Sequence, residues 1–158
     1  MPATIFKNTI LRNLDAETIA RLRLHRVSFA VGQTIKSQGH AIEKLIFIEE
    51  GMATMITKFA KWSEVSVGMF GYESMIGISA LMGTKHSLNE VYTQVAYWGY
   101  STDVALARRE FERGARFQRL ALEYVQTQLL QAMQSAACNA KHAWTNGWHV
   151  GCCFARTE

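Results

Sequence analysis

Residues 32–52 read GQTIKSQGHAIEKLIFIEEGM. Gly32 leads into a strand-like triplet, Thr34-Ile35-Lys36. Gly39 interrupts it, and the apolar run Leu45-Ile46-Phe47-Ile48 then ends at Glu49-Glu50-Gly51. Glycine loses more backbone entropy on folding than any other residue, so glycines at such intervals mark tight corners that need positive φ. The run at 45–48 is β-branched and aromatic, too short for a helix, and bounded by turn residues at both ends. Residues 27–57 therefore read as short strands separated by Gly32, Gly39 and Gly51. Gly51, between Ile46-Phe47-Ile48 and residues 52–56, predicts a hairpin.

The pattern extends outward in both directions. Asn13 and Asp15 are capping types ahead of a short helix at 18–24. A loop with Lys58, Lys61 and Trp62 leads to residues 64–67, where Val65 and Val67 share a face. A glycine-rich segment at 68–77 precedes a short apolar stretch at 78–82, and strand-like runs at 91–96 and 98–100 close the β region. From Ala105 good helix formers dominate, and glycine disappears after Gly114. Between 117 and 141, Leu122, Val125, Leu129, Ala132 and Ala136 recur in steps of three and four, with Leu130, Met133 and Ala137 widening the stripe. The helix spans roughly seven turns, more than a small β structure covers. Its apolar face either packs on its own domain or, as the length favours, pairs with a second copy through Leu122, Val125, Leu129, Ala132, Met133 and Ala136.

At 158 residues, 49% hydrophobic and 19% charged, the chain has room for one domain with a core, or a domain plus a long helix. No apolar stretch is long enough to span a bilayer, and the N-terminus MPATIFKNTIL lacks signal-peptide organisation, so cytoplasmic residence without a membrane partner is expected. Cys138, Cys152 and Cys153 have neither zinc-ligand spacing nor a disulfide framework. The net charge of +4 suits a nucleic-acid-associated protein only weakly. Arg108, Arg109, Arg113, Arg116 and Arg119 alternate with Glu110 and Glu112, which reads as a solvated helical face rather than a phosphate-binding patch.

The glycine-punctuated stretch at 32–52 resembles the β-roll of the cyclic-nucleotide-binding-like domain of Crp/Fnr-type transcription regulators, and the resemblance covers residues 8 to about 142. It implies a mainly β fold with α: a double-stranded β-helix, or jelly-roll-like β-roll, plus a long C-terminal dimerisation helix. The implied division is a sensory roll at 1–115, a dimerisation helix at 116–142 and an aberrant tail at 143–158. In members that bind cyclic nucleotides, backbone N–H groups at a helix start accept the phosphate, a glutamate holds the ribose and an arginine pairs with the phosphate. The corresponding segment, residues 67–94, is VGMFGYESMIGISALMGTKHSLNEVYTQ. Aligning Ile76-Gly77 with the family's hydrophobic-glycine step puts Ile78 at the glutamate position and Leu88 or Asn89 at the arginine position. Neither charged partner is present, so tight binding of cAMP or cGMP is not expected. Gly68-x-x-Gly71-x-Glu73-x-x-x-Gly77 looks like a related segment of undefined effector, with Ser74 where the pattern has a further glycine. The pocket candidates are thus Gly71, Tyr72, Glu73, Ser74, Gly77, Ile78, Leu88 and Asn89. The alternative is that these glycines only turn the chain and Glu73 caps a helix near Ser74.

His25, His40, His86, His142 and His149 show no metal-ligand spacing, and no metal or cofactor is expected; a cupin enzyme would need paired histidines and a glutamate on adjacent strands. A haem-sensing relative would need an axial ligand facing the pocket, for which His25, His40 or Met69 would have to serve. Nucleophile motifs are absent, so no enzymatic activity is expected. Regulators of this family continue into a helix-turn-helix, whereas residues 143–158, AWTNGWHVGCCFARTE, lack any period. Reading allowed codons for 143–154 one base earlier permits Ser-Val-Asp-Glu-Arg-Leu-Ala-Arg-Trp-Leu-Leu-Leu, which resembles the family's entry into its DNA-binding domain. A frameshift near His142 is therefore expected, the alternative being a natural tail. The resulting expectation is a homodimeric sensory domain of a regulator truncated before its helix-turn-helix, with an unknown small-molecule effector and DNA contacted only through the missing domain. The rival reading is a stand-alone dimeric module that binds a small molecule or a protein.

Overall fold

The computed structural model describes residues 5–59 and 63–142. The expectations for Lys61 and Trp62, and for the tail at 143–158 with His149, Cys152 and Cys153, lie outside the described residues. Among the described residues two short helices come first, α1 at Thr9–Arg12 and α2 at Ala16–Leu22. Strands follow: β1 at His25–Phe29, β2 at Thr34–Lys36, β3 at Lys44–Phe59, β4 at Ser63–Phe70 and β5 at Met75–Ile76. A 3-10 turn at Ile78–Met82 leads to β6 at Glu90–Asp103, then α3 at Val104–Glu112 and α4 at Arg116–His142.

Among the described residues all strand pairing is antiparallel. The order is β1-β6-β3-β4, with β2 added to β6 and β5 to β3. This six-stranded sheet with its C-terminal helix is the cyclic-nucleotide-binding β-roll fold. The hairpin expected at Gly51 does not form. β3 runs straight through that position against β6, and its register shifts between Ile48 and Ala53. Gly51 has φ +95°, and a Cβ there would lie 2.4 Å from both the Ala96 carbonyl and the Tyr97 Cβ. Positive φ at this glycine therefore serves a bulge that lets two long strands cross closely, not a chain reversal. Likewise the two runs expected at 91–96 and 98–100 are one strand, β6.

The roll interior is built from Ile46, Ile48, Ala53, Phe70, Ile76, Val91 and Tyr97, with Val27, Phe29, Ile35 and Met55 against them. Leu45 and Phe47 alternate with these in β3 and are fully buried too. A strand covered on both faces reads as a continuous apolar run, which is why 45–48 shows no alternation. Val65 and Val67, on their shared face of β4, stay exposed.

α1 was not apparent from periodicity. Asn8 makes it, because its side-chain oxygen accepts from the N–H groups of Ile10 and Leu11, each at 3.1 Å. In α2, Asp15 is the cap, accepting from Thr18 N–H at 2.8 Å. A fork from Arg21 to Glu110, at 2.7 and 2.8 Å, ties α2 to α3. The arginine array is only partly a solvated face: Arg113 pairs with Glu110 at 3.2 Å, Arg108 donates to the Ala80 carbonyl at 2.5 Å, and Arg116 donates to the Asn13 carbonyl.

Packing places a unit boundary after Leu122. Phe117 and Ala121, in the first turns of α4, are buried. Beyond the boundary Leu129, Leu130 and Met133 are 59, 59 and 60% exposed, and Ala132 and Ala136 are exposed with them.

Candidate ligand site

Residues 71–74 form a turn closed by Ser74 N–H to the Gly71 carbonyl, 2.9 Å, and by Gly71 N–H to the Ser74 hydroxyl, 3.2 Å. Ser74 is fully buried, while Tyr72 is 57% exposed. Glu73 is exposed, and its carboxylate accepts from the Ser74 hydroxyl at 3.4 Å. A side chain at Gly71 would meet that carboxylate at 2.8 Å. The turn is pinned from outside by α1: Asn8 Nδ2 donates to the Ser74 carbonyl at 3.0 Å and Thr9 N–H to the Tyr72 carbonyl at 3.2 Å. Next, β5 pairs Met75-Ile76 with Phe47-Ile46. Gly77 then turns with φ +93°, and a Cβ there would sit 2.7 Å from the Lys44 carbonyl, so only glycine fits.

After the 3-10 turn the chain folds back on residues 39–42. Ile42 N–H reaches the Lys85 carbonyl at 3.0 Å, Gly39 N–H the Ser87 carbonyl at 2.7 Å, and Ser87 N–H the His40 carbonyl at 2.8 Å. Ile78 is half-buried, whereas Leu88 is 74% exposed and plugs nothing. Asn89 donates to the Thr57 hydroxyl at 2.8 Å, and Lys58 pairs with Glu90 at 2.8 Å. The structure thus gathers Gly71, Tyr72, Glu73 and Ser74 in one turn held by α1 and places Asn89 against β3. Among the described residues no hydrogen bond joins the two groups.

A cavity of about 340 Å³ opens beside this segment. Its apolar wall is Phe29, Ile35, Ile42, Ile46 and Ile76, and its polar lining is Lys36, Ser37, His40, Glu43 and Lys44. Of the segment expected to hold ligand, only Ile76 contributes. The fold-back of residues 84–87 onto 39–42 builds this cavity's neighbourhood, and such long-range pairing leaves no local mark. The available signal was Lys36, a charge in the one strand-like triplet next to Gly39. Burial pushes the Lys36 ammonium below the ordinary lysine value.

Two hydroxyls on β6, those of Thr93 and Tyr97, are buried without a hydrogen-bond partner among the described residues. Tyr97 stacks on Phe29 with ring centroids 4.9 Å apart, and burial raises its ionisation well above the usual phenol range, so it stays protonated. Among the described residues no group of three or more His, Cys, Asp or Glu side chains could hold a metal ion. His40 Nδ1 lies 3.2 Å from the Gln38 carbonyl. No described helix is long and apolar enough to cross a membrane.

An antiparallel roll bulged at Gly51, turned at Gly77 and followed in sequence by α3 and α4 is the cyclic-nucleotide-binding-type fold implied by the resemblance. Neither a protein-family model nor a curated protein matches the sequence. Solved structures do match. The c-di-GMP-responsive global regulator CLP of Xanthomonas campestris is 17% identical with TM-score 0.70, covering 84% of this chain and 66% of CLP. The sensor domain of the transcriptional regulator DNR from Pseudomonas aeruginosa is 12% identical with TM-score 0.64, covering 78% of this chain and 85% of that one. The regulatory domain of Toxoplasma gondii PKA with cAMP is 20% identical with TM-score 0.59, covering 76% and 46% respectively. The chain therefore spans just under two thirds of CLP and under half of the kinase regulatory domain. The likeness at these identities is one of fold.

Proposed function

We propose that this chain is the sensory and pairing part of a Crp/Fnr-type transcription regulator whose roll does not bind cAMP or cGMP tightly. One observation carries the reading: half-buried Ile78 stands where the resemblance puts the ribose-binding glutamate, and exposed Leu88 or half-buried Asn89 where it puts the phosphate-binding arginine. A cyclic phosphate at this place would lose its charge-assisted contact with a buried guanidinium, and exposed Lys85 would be a solvated substitute for it. The likeness to regulator sensor domains supports the class. The exposed stripe of α4 supports pairing, with Leu122, Val125, Leu129, Ala132, Met133 and Ala136 as the face between two copies.

In this reading residues 1–115 sense and 116–142 pair, in the cytoplasm, and no catalysis, cofactor or metal is assigned. Gly71, Tyr72, Glu73, Ser74, Gly77, Ile78, Leu88 and Asn89 are the candidates for lining an effector pocket in the roll. DNA reading is assigned to none of the described residues, so specific operator binding would come through a separate element. Sedimentation equilibrium and calorimetric titration with cAMP and cGMP test it together. Dimers without micromolar nucleotide uptake are expected. Lone protomers at high concentration, or micromolar binding of either nucleotide, would overturn it.

A further inference from the structure

The 340 Å³ cavity beside β2 carries an inference about ligand chemistry that rests on the sensor reading. Lys36 lies on β2 opposite Val91 of β6 and is half-buried. Among the described residues it forms no ion pair or hydrogen bond through its ammonium, although Glu43 lines the same cavity. A partly desolvated cation without a counter-charge is unfavourable until an anion joins it. Ser37 and His40 bring further polar atoms to the same lining, whose charged side chains, Lys36, Lys44 and Glu43, leave one excess positive charge, with Lys36 the half-buried cation. Phe29, Ile35, Ile42, Ile46 and Ile76 make the rest of the lining apolar, and Phe29 is held by its stack on Tyr97. A volume at the small end of ligand pockets, lined by a half-buried cation and by several apolar side chains, suits a small amphiphilic anion. A polyanion would lay its charge on Ile35 and Ile42 and meet the Glu43 carboxylate.

We propose that this cavity binds a small monocarboxylate bearing a hydrocarbon chain, with the carboxylate on Lys36 and the chain against Phe29, Ile35 and Ile42. Calorimetric titration of the full chain with octanoate, octan-1-ol and inorganic phosphate, repeated on Lys36→Met, tests this. Methionine keeps the aliphatic stem and removes the charge. Octanoate is expected to bind more tightly than either control, and Lys36→Met to weaken it about tenfold or more, the worth of one charge-assisted contact. In amide NMR spectra octanoate should shift the signals of Ile35, Lys36 and Ile42. Equal binding to both proteins, or phosphate binding as tightly as octanoate, overturns the proposal, and so does failure of octanoate to bind. None of these touches the sensor reading, which stands or falls on pairing through α4 and on the nucleotide titration. Lys36→Met should melt no lower than the wild type, because an unpaired, half-buried charge is removed. A lowered melting temperature would mean that Lys36 is structurally paired, which also overturns the proposal.

Discussion

Replacing Asn8 by alanine should be among the most damaging single polar substitutions in this protein. The side chain is fully buried and makes four hydrogen bonds. Its oxygen caps α1, and its amide bridges the Ile48 carbonyl of β3 to the Ser74 carbonyl of the glycine-rich turn, each at 3.0 Å. The lost cap costs about 1 kcal/mol. The two buried carbonyls left without a donor cost about 1 kcal/mol each. Together that is about 3 kcal/mol, or a melting-temperature drop of about 6–12 °C for a chain of this length. Urea unfolding followed by circular dichroism reads the first number and scanning calorimetry the second. Asn8→Asp keeps the cap acceptor but removes both amide donors. It also sets a carboxylate against the two carbonyls and beside Glu49, whose Oε1 already accepts from Asn8 N–H at 3.3 Å, so it should be no better than alanine. A loss below about 0.5 kcal/mol for Asn8→Ala would refute the idea that this residue pins α1, β3 and the turn together.

Gly51→Ala should cost about 3 kcal/mol in urea unfolding, because positive φ and a 2.4 Å clash with β6 backbone act together; a neutral result would mean that the bulge is not there. Glu110 is held below the ordinary carboxylate range first by its hydrogen bonds from Arg21 and further by the Arg21 and Arg113 charges. A depressed folded pKa gives stability that is present above the unfolded value of about 4.5 and lost as pH falls through the folded one. Melting temperature should therefore fall on acidification below that value, and Glu110→Gln should flatten this limb; an unchanged acid limb would show that the pair contributes nothing. In sedimentation equilibrium, Leu129→Glu with Met133→Glu should convert dimers to protomers without changing the melting of the roll, since both side chains are already exposed. Persisting dimers in that variant would move the interface elsewhere.

The legible part of the fold was local. Residue type signals positive φ at Gly32, Gly39 and Gly51, and each of these glycines adopts it. The strand at 34–36 and the helical stripe that begins at 117 were likewise visible in short windows. Where the same signals were assigned a topology, they misled. Gly51 reads as a hairpin from its neighbours alone, because a bulge and a turn use the same backbone region. What separates them is the partner strand, and β6 lies about forty residues away in sequence. α1 escaped notice for a related reason: a single turn has no period, and its stability comes from Asn8 reaching Ile48 and Ser74.

For the site, the sequence alone says which residue types occupy 67–94, the segment that the resemblance implies would hold a ligand. Which side chains meet was settled by packing. The turn at 71–74 is drawn to α1, Asn89 to Thr57, and residues 84–87 to 39–42. That last pairing sets Lys36 beside an apolar wall that residues 67–94 scarcely enter. Residue types and spacing fix what each segment is able to do because those preferences act over a few bonds. Cavities, counter-charges and crossing strands arise from groups brought together across the chain, and only the folded arrangement decides them.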